Sequence, residues 1–226
     1  MHEFLSSIMP NVMKKLPDLW DSTIETLEMT LISWAFIFVL GLFFGVLLTV
    51  TKKGGLMQNA VVYQILDKVI NLFRAVPFII LLICLIPVSR AIVGTSIGVA
   101  GAIVPLVSGT VPFFSRQVES ALAEVNPGLV EAAEAMGCSR IGIIFRVYLK
   151  ESIPALARGV TITLINLIGL TAMAGAVGAG GLGNFAYVQG SQRNMNDIIY
   201  STVVVLVVIV TIIQIIGNLV SKKSTH

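Results

Sequence analysis

Between Met29 and Thr51 the chain carries no charged side chain. About 20 apolar residues suffice for a helix to cross the hydrocarbon core of a bilayer, where every backbone polar group must be satisfied internally. Ala91–Ser115 and Ile198–Ser221 are further uncharged runs of spanning length. Ala75–Ser89 is too short alone. It becomes a full span if its helix starts around Val61–Ile70, with Asp67, Lys68 and Arg74 near the cytoplasmic surface or facing protein. Gly159–Gln192 is uncharged and rich in glycine after Gly175. It predicts one helix to about Ala176, then a glycine-rich segment outside or at the membrane edge. Hydrophobic residues make up 56% of the chain and charged residues 12%, against roughly 25% charged in soluble domains. The expectation is an all-α polytopic membrane protein with about five transmembrane helices.

The cations orient these spans. Lys52 and Lys53 follow the first, Arg116, Arg140, Arg146, Lys150 and Arg158 follow the third, and Lys222 and Lys223 follow the fifth. Positive residues in short loops stay cytoplasmic. The N-terminus is therefore expected outside and the C-terminus in the cytoplasm, which an odd number of spans also requires. This arrangement leaves Lys14 and Lys15 outside. Residues 1–28 read as an interfacial segment, with Phe4, Leu5, Ile8, Met9, Val12, Leu16 and Trp20 at helical spacing; a mobile polar tail is the alternative. Lys14 and Lys15 sit mid-segment and no compact apolar core with a small-residue cleavage site precedes the first span, so no signal peptide is expected. Residues 29–221 form the transmembrane domain, including a cytoplasmic loop at 116–154, and 222–226 form a tail. The spacings Gly41-x-x-x-Gly45 and Gly94-x-x-x-Gly98 would let helix backbones approach closely. Five spans make a small solute pathway, so a homodimer with the pathway on its two-fold axis is expected.

The 116–154 loop is too long for a plain connection. Its cations, with Arg158, are matched by Glu119, Glu124, Glu131, Glu134 and Glu151, so it is close to neutral. Asn126 suits an N-cap and Pro127 the first helical position. Gly137 suits the left-handed residue beyond a helix end. Leu129, Val130, Ala133 and Met136 share one apolar face. Ser139 can cap a second helix running to about Ser152. A helix of about ten residues is marginal alone. It packs either on its own membrane helices or, through a slim alanine-lined surface, in a groove of a partner.

Several classes are disfavoured. The histidines are His2 and His226, which removes most histidine-based catalysis and metal binding. Cys84 and Cys138 suggest neither a disulfide nor a metal site. A net charge of +3, spread along the chain, does not point to nucleic acid. Gly178-x-Gly180-x-x-Gly183 matches a dinucleotide fingerprint formally, but that motif needs a preceding strand. An ion-coupled secondary transporter would place ionisable groups at mid-membrane, and a membrane enzyme would need a nucleophile with its base. Neither pattern is present.

Glu131-Ala132-Ala133, followed after three residues by Gly137, resembles the EAA motif of permease subunits in ATP-binding-cassette importers. Val147 and Leu149 continue the pattern, while Lys150 stands where proline is usual and Pro154 would take over the helix break. Asn71-x-x-Arg74-Ala75-x-Pro77-Phe78 resembles a second-span signature of amino-acid importers, and Pro112-Phe113 with Arg116 and Glu119 resembles the entry to the cytoplasmic loop. Ala172–Gly183 is similar to the permeases of methionine importers. The resemblance implies a type I importer permease fold in which Glu131, Ala132, Ala133 and Gly137 belong to a coupling helix docked on an ATPase. It implies alternating-access import of methionine, D- and L-, with another small amino acid as the alternative. It implies no catalytic group and no cofactor in this chain, ATP and Mg being held by the partner. The implied partners are a second copy, two cytoplasmic ATPase subunits, a periplasmic or lipid-anchored methionine-binding protein and the bilayer. Met173 is the implied gate at the dimer axis; ordinary helix packing is the other reading.

Overall fold

The computed structural model describes residues 9–223 and is helical, with no strand among them. Phe4, Leu5 and Ile8 of the expected interfacial pattern, like both histidines, lie outside the described residues. A short helix α1 (Pro10–Lys14) is followed by α2 (Leu16–Thr51), which carries the first expected span. Next come α3 (Ala60–Ala75), α4 (Phe78–Cys84) and α5 (Ile86–Val93). The long α6 (Gly98–Ala123) leads to α7 (Pro127–Ala135) and α8 (Arg140–Ile143). A π-helical segment, Ile144–Tyr148, joins α8 to α9 (Leu149–Glu151). Then follow α10 (Ile153–Ala174), α11 (Gly181–Asn184) and α12 (Asn196–Lys223), with π-helical segments Gly175–Ala179 and Phe185–Ser191 flanking α11.

Among the described residues, four helical stretches are long and apolar enough to cross a membrane: Leu16–Thr51, Gly98–Ala123, Ile153–Ala179 and Asn196–Lys223. The second expected span is instead divided into α3, α4 and α5. Asn59 caps α3, its Oδ1 accepting from the N–H groups of Val61 and Val62 at 3.1 Å each. Pro77 forces Val76 into an extended conformation (φ −80°, ψ 124°), which ends the helix. Pro87 sits in the first turn of α5, and Gly94 closes it at φ +79°. The third expected span also shifts: its helix begins at Gly98 and continues through Arg116 to Ala123. Ser152 marks the break before α10, so Pro154 falls in that helix's first turn, where its missing N–H costs nothing.

The chain forms two compact units. The first combines the N-terminal stretch to Ala35, Pro77–Val107 and Leu164–Ile213. Val12, Phe185 and Ile198 are buried together there, with Met9, Leu19 and Met195 against them. Asp197 holds α1 in place: Oδ2 accepts from the N–H of Asn11 at 2.9 Å and of Val12 at 3.3 Å, and Oδ1 from Asn11 Nδ2 at 3.0 Å.

The second unit combines Phe36–Val76, Ser108–Thr163 and the C-terminal stretch from Gln214. A Cβ on Gly41 would lie 2.5 Å from the Phe114 ring, and one on Gly45 would lie 2.5 Å from Val118 Cβ. These two glycines therefore permit the close approach of α2 and α6 that their spacing predicts. Gly94 and Gly98 do not. Both take positive φ with open space around them and shape the turn between α5 and α6.

Candidate coupling segment and glycine-rich turn

The Glu131–Gly137 segment is built by local chemistry. Asn126 Oδ1 accepts from Gly128 N–H at 2.9 Å, and Pro127 occupies the first turn. At the other end Gly137 takes φ +77°. Its N–H donates to Glu134 O at 2.9 Å, while Cys138 N–H donates to Ala133 O at 3.1 Å. This pair of bonds is a Schellman closure. Ser139 then caps α8 through Oγ, which accepts from Gly142 N–H at 3.1 Å.

The expected single apolar face divides. Ala133 is buried and Val130 partly so, whereas Leu129 and Met136 are exposed. Met136 is 76% exposed, and Ile141 and Phe145 on the following segment are 66% exposed. Glu131, Ala132 and Gly137 also face outward. One side of α7 thus packs on its own chain, and the other presents carboxylates beside uncovered apolar side chains. Burial pushes the Tyr148 phenol above its ordinary value, and the negative charge of Glu134 adds to the shift. The hydroxyl accordingly stays protonated at neutral pH.

Two motifs read separately in the sequence are joined. Arg116 of α6 donates to Asp67 and, at 3.1 Å, to Asn71 Oδ1, both on α3; it also donates to Glu119 at 2.7 Å. Asp67 therefore faces protein. In the same unit Arg158 pairs with Glu124 at 2.9 Å.

Met173 lies in the other unit, on the last turn of α10, 42% exposed. The glycine-rich stretch after it is a tightly doubled-back turn. Val177 leaves helical geometry and Gly178, Gly180 and Gly181 take φ of +102°, +86° and +70°. A Cβ on Gly175 would stand 2.6 Å from Gly180 O, and one on Gly183 would collide with Ala172 O. No strand precedes the Gly178-x-Gly180-x-x-Gly183 pattern. Its amides are already engaged: Gly181 N–H donates to Glu25 Oε2 at 2.6 Å, and Leu182 N–H to Thr26 Oγ1 at 2.8 Å.

The family of inner-membrane components of binding-protein-dependent transport systems matches residues 37–225. The chain belongs to that family. It is thus a transport component and a multi-pass protein of the bacterial cytoplasmic membrane. The methionine import system permease protein of Bacillus subtilis is 50% identical over 212 residues, 94% of this chain and 95% of that one. The D-methionine transport system permease protein of Salmonella typhimurium is 52% identical over 141 residues, 62% of this chain; the match spans 65% of that relative's length. The chain superposes on an inward-facing structure of the MetNI methionine ABC transporter with a TM-score of 0.90, at 45% identity, covering 96% of this chain and 99% of that one. An amino acid ABC transporter structure at 16% identity shares the fold, with a TM-score of 0.79.

Proposed function

We propose that this chain is the membrane-spanning permease subunit of a methionine importer driven by a separate ATPase. The observation that carries this reading is the near-full-length kinship to the Bacillus subtilis methionine permease. Two copies would enclose the pathway, and a methionine-binding protein would deliver D- or L-methionine from outside. ATP and Mg belong to the ATPase pair, and this chain supplies no catalytic group. The role of α7 is mechanical. Its ends are fixed by Asn126 and Gly137, so a push on the exposed Glu131, Ala132 and Met136 moves the helix as a body. Ala133 transmits that push into the unit on which it is packed. ATP shifts the balance between inward-facing and outward-facing states only because the docked motor prefers one of them. Met173, exposed on the last turn of α10, serves as the gate in this reading.

Reconstitution with the cognate ATPase and binding protein tests the proposal. ATP-dependent uptake of L- and D-methionine, abolished by Glu131→Lys with membrane insertion retained, is expected. Uptake of another amino acid with none of methionine would overturn the substrate assignment.

A further inference from the structure

The glycine-rich turn after Met173 is held by two adjacent residues of α2. Glu25 Oε2 accepts from Gly181 N–H at 2.6 Å, and Thr26 Oγ1 accepts from Leu182 N–H at 2.8 Å. Thr26 is buried, and its hydroxyl hydrogen is committed to Ser22 O at 2.9 Å, so its lone pairs are aimed at the turn. There is no slack around this contact. A Cβ on Gly180 would stand 2.6 Å from Glu25 Oε2; one on Gly181 would stand 2.6 Å from Thr26 Oγ1 and 2.8 Å from Met29 Cε. The turn in turn backs directly onto the end of α10, since Gly183 packs on Ala172 and Gly175 on Gly180. The turn is thus packed against the end of α10, and α2 holds it through two backbone amides.

We infer that Glu25 and Thr26 are positioning residues for transport: their paired hold on the Gly181 and Leu182 amides sets the placement of the α10 end that carries Met173. The grip reads backbone, so it depends on the glycine conformation of the turn and not on a side chain within it. A charge-assisted bond is the stronger of the two. Glu25→Ala removes it, Glu25→Gln weakens it while keeping an acceptor, and Thr26→Val removes the other with its shape retained. This inference rests on the permease reading above for its link to uptake, and on geometry alone for its link to Met173.

The test uses the assembled transporter in membranes, with Cys84→Ser and Cys138→Ser removing the native thiols and Met173→Cys as the reporter. Thiol labelling at position 173 is expected to change about tenfold in Glu25→Ala, the size of one lost charge-assisted hydrogen bond, with Glu25→Gln intermediate and Thr26→Val acting in the same direction. In the Met173 background the same substitutions are expected to lower maximal uptake with the half-saturating methionine concentration unchanged. Native labelling in Glu25→Ala and Thr26→Val, in correctly inserted protein, would overturn the inference. So would altered labelling with native uptake. Failure of the unsubstituted complex to import methionine would instead sink the substrate reading, and labelling would still decide the positioning role.

Discussion

Arg116 and Asn71 meet across 3.1 Å, and the same guanidinium also reaches Asp67 and Glu119. A single cation thereby fastens α3 to α6 in a part of the chain where α3 has just one buried side chain, Ile70. Removing it leaves Asp67 and Glu119 without the guanidinium that both now bond. Arg116→Ala is expected to lower the stability of the detergent-solubilised protein by about 1–3 kcal/mol, measured by thermal unfolding. Arg116→Lys recovers only part of the loss, because a compact ammonium lacks the planar fork by which the guanidinium reaches acceptors on both helices. Equal melting of all three proteins would refute this.

Gly137 holds a left-handed conformation at φ +77° that closes α7. A β-branched residue there is strained by about 1–2 kcal/mol, enough to unwind a short helix. Gly137→Val is expected to abolish ATP-linked uptake and to speed proteolysis within 126–140 while insertion is retained. Gly137→Asn, which tolerates this backbone, is expected to stay close to native. A native uptake rate in Gly137→Val would show that the closure is dispensable.

Met136 offers the opposite test. It is 76% exposed, so Met136→Ala should change the stability of the isolated chain by less than about 0.5 kcal/mol. In the proposed complex it is expected to weaken co-purification of the ATPase. Unchanged association would remove Met136 from the docking surface.

Gly45 sits against Val118 and Ser115 O with no room for a side chain. Gly45→Leu is expected to destabilise the protein by about 1–3 kcal/mol or more through overpacking, visible as reduced monodisperse yield. Gly41→Ala is expected to destabilise in the same direction, because the added Cβ would meet the buried Phe114 side chain at 2.5 Å.

Asp197 accepts the bonds that hold α1. Asp197→Ala is expected to free that helix and to expose the Lys14–Lys15 site to trypsin. Cleavage at the native rate would mean that the buried cluster of Val12, Phe185 and Ile198 holds α1 alone.

The helix Pro127–Ala135 is legible in the sequence because its signals are local: Asn126, Pro127 and Gly137 act on amides and carbonyls within a few positions of themselves. Spacing alone misled elsewhere. Gly41 and Gly45 have the same separation as Gly94 and Gly98, yet the first pair permits close packing and the second forms a turn. Nothing in glycine spacing states φ. Pro77 marks the division of the second span, while the apolar run that continues beyond it reads as one uninterrupted crossing. The grip of Glu25 on Gly181 had no readable sign, since the partners lie 156 positions apart and the acceptor's target is bare backbone. Arg116 belongs to a local motif with Pro112, Phe113 and Glu119, but its partners on α3 lie 45 and 49 positions away and meet it only in the folded chain.

The placement of Glu25 and Thr26 has a consequence for how the protein is divided. The family match begins at residue 37, after both of them. A fragment trimmed to that boundary would keep the whole glycine-rich turn and lose the two acceptors that complete it, leaving the Gly181 and Leu182 amides without the oxygens they now bond. The acceptors that close the turn thus lie on the part of α2 that precedes the recognisable domain.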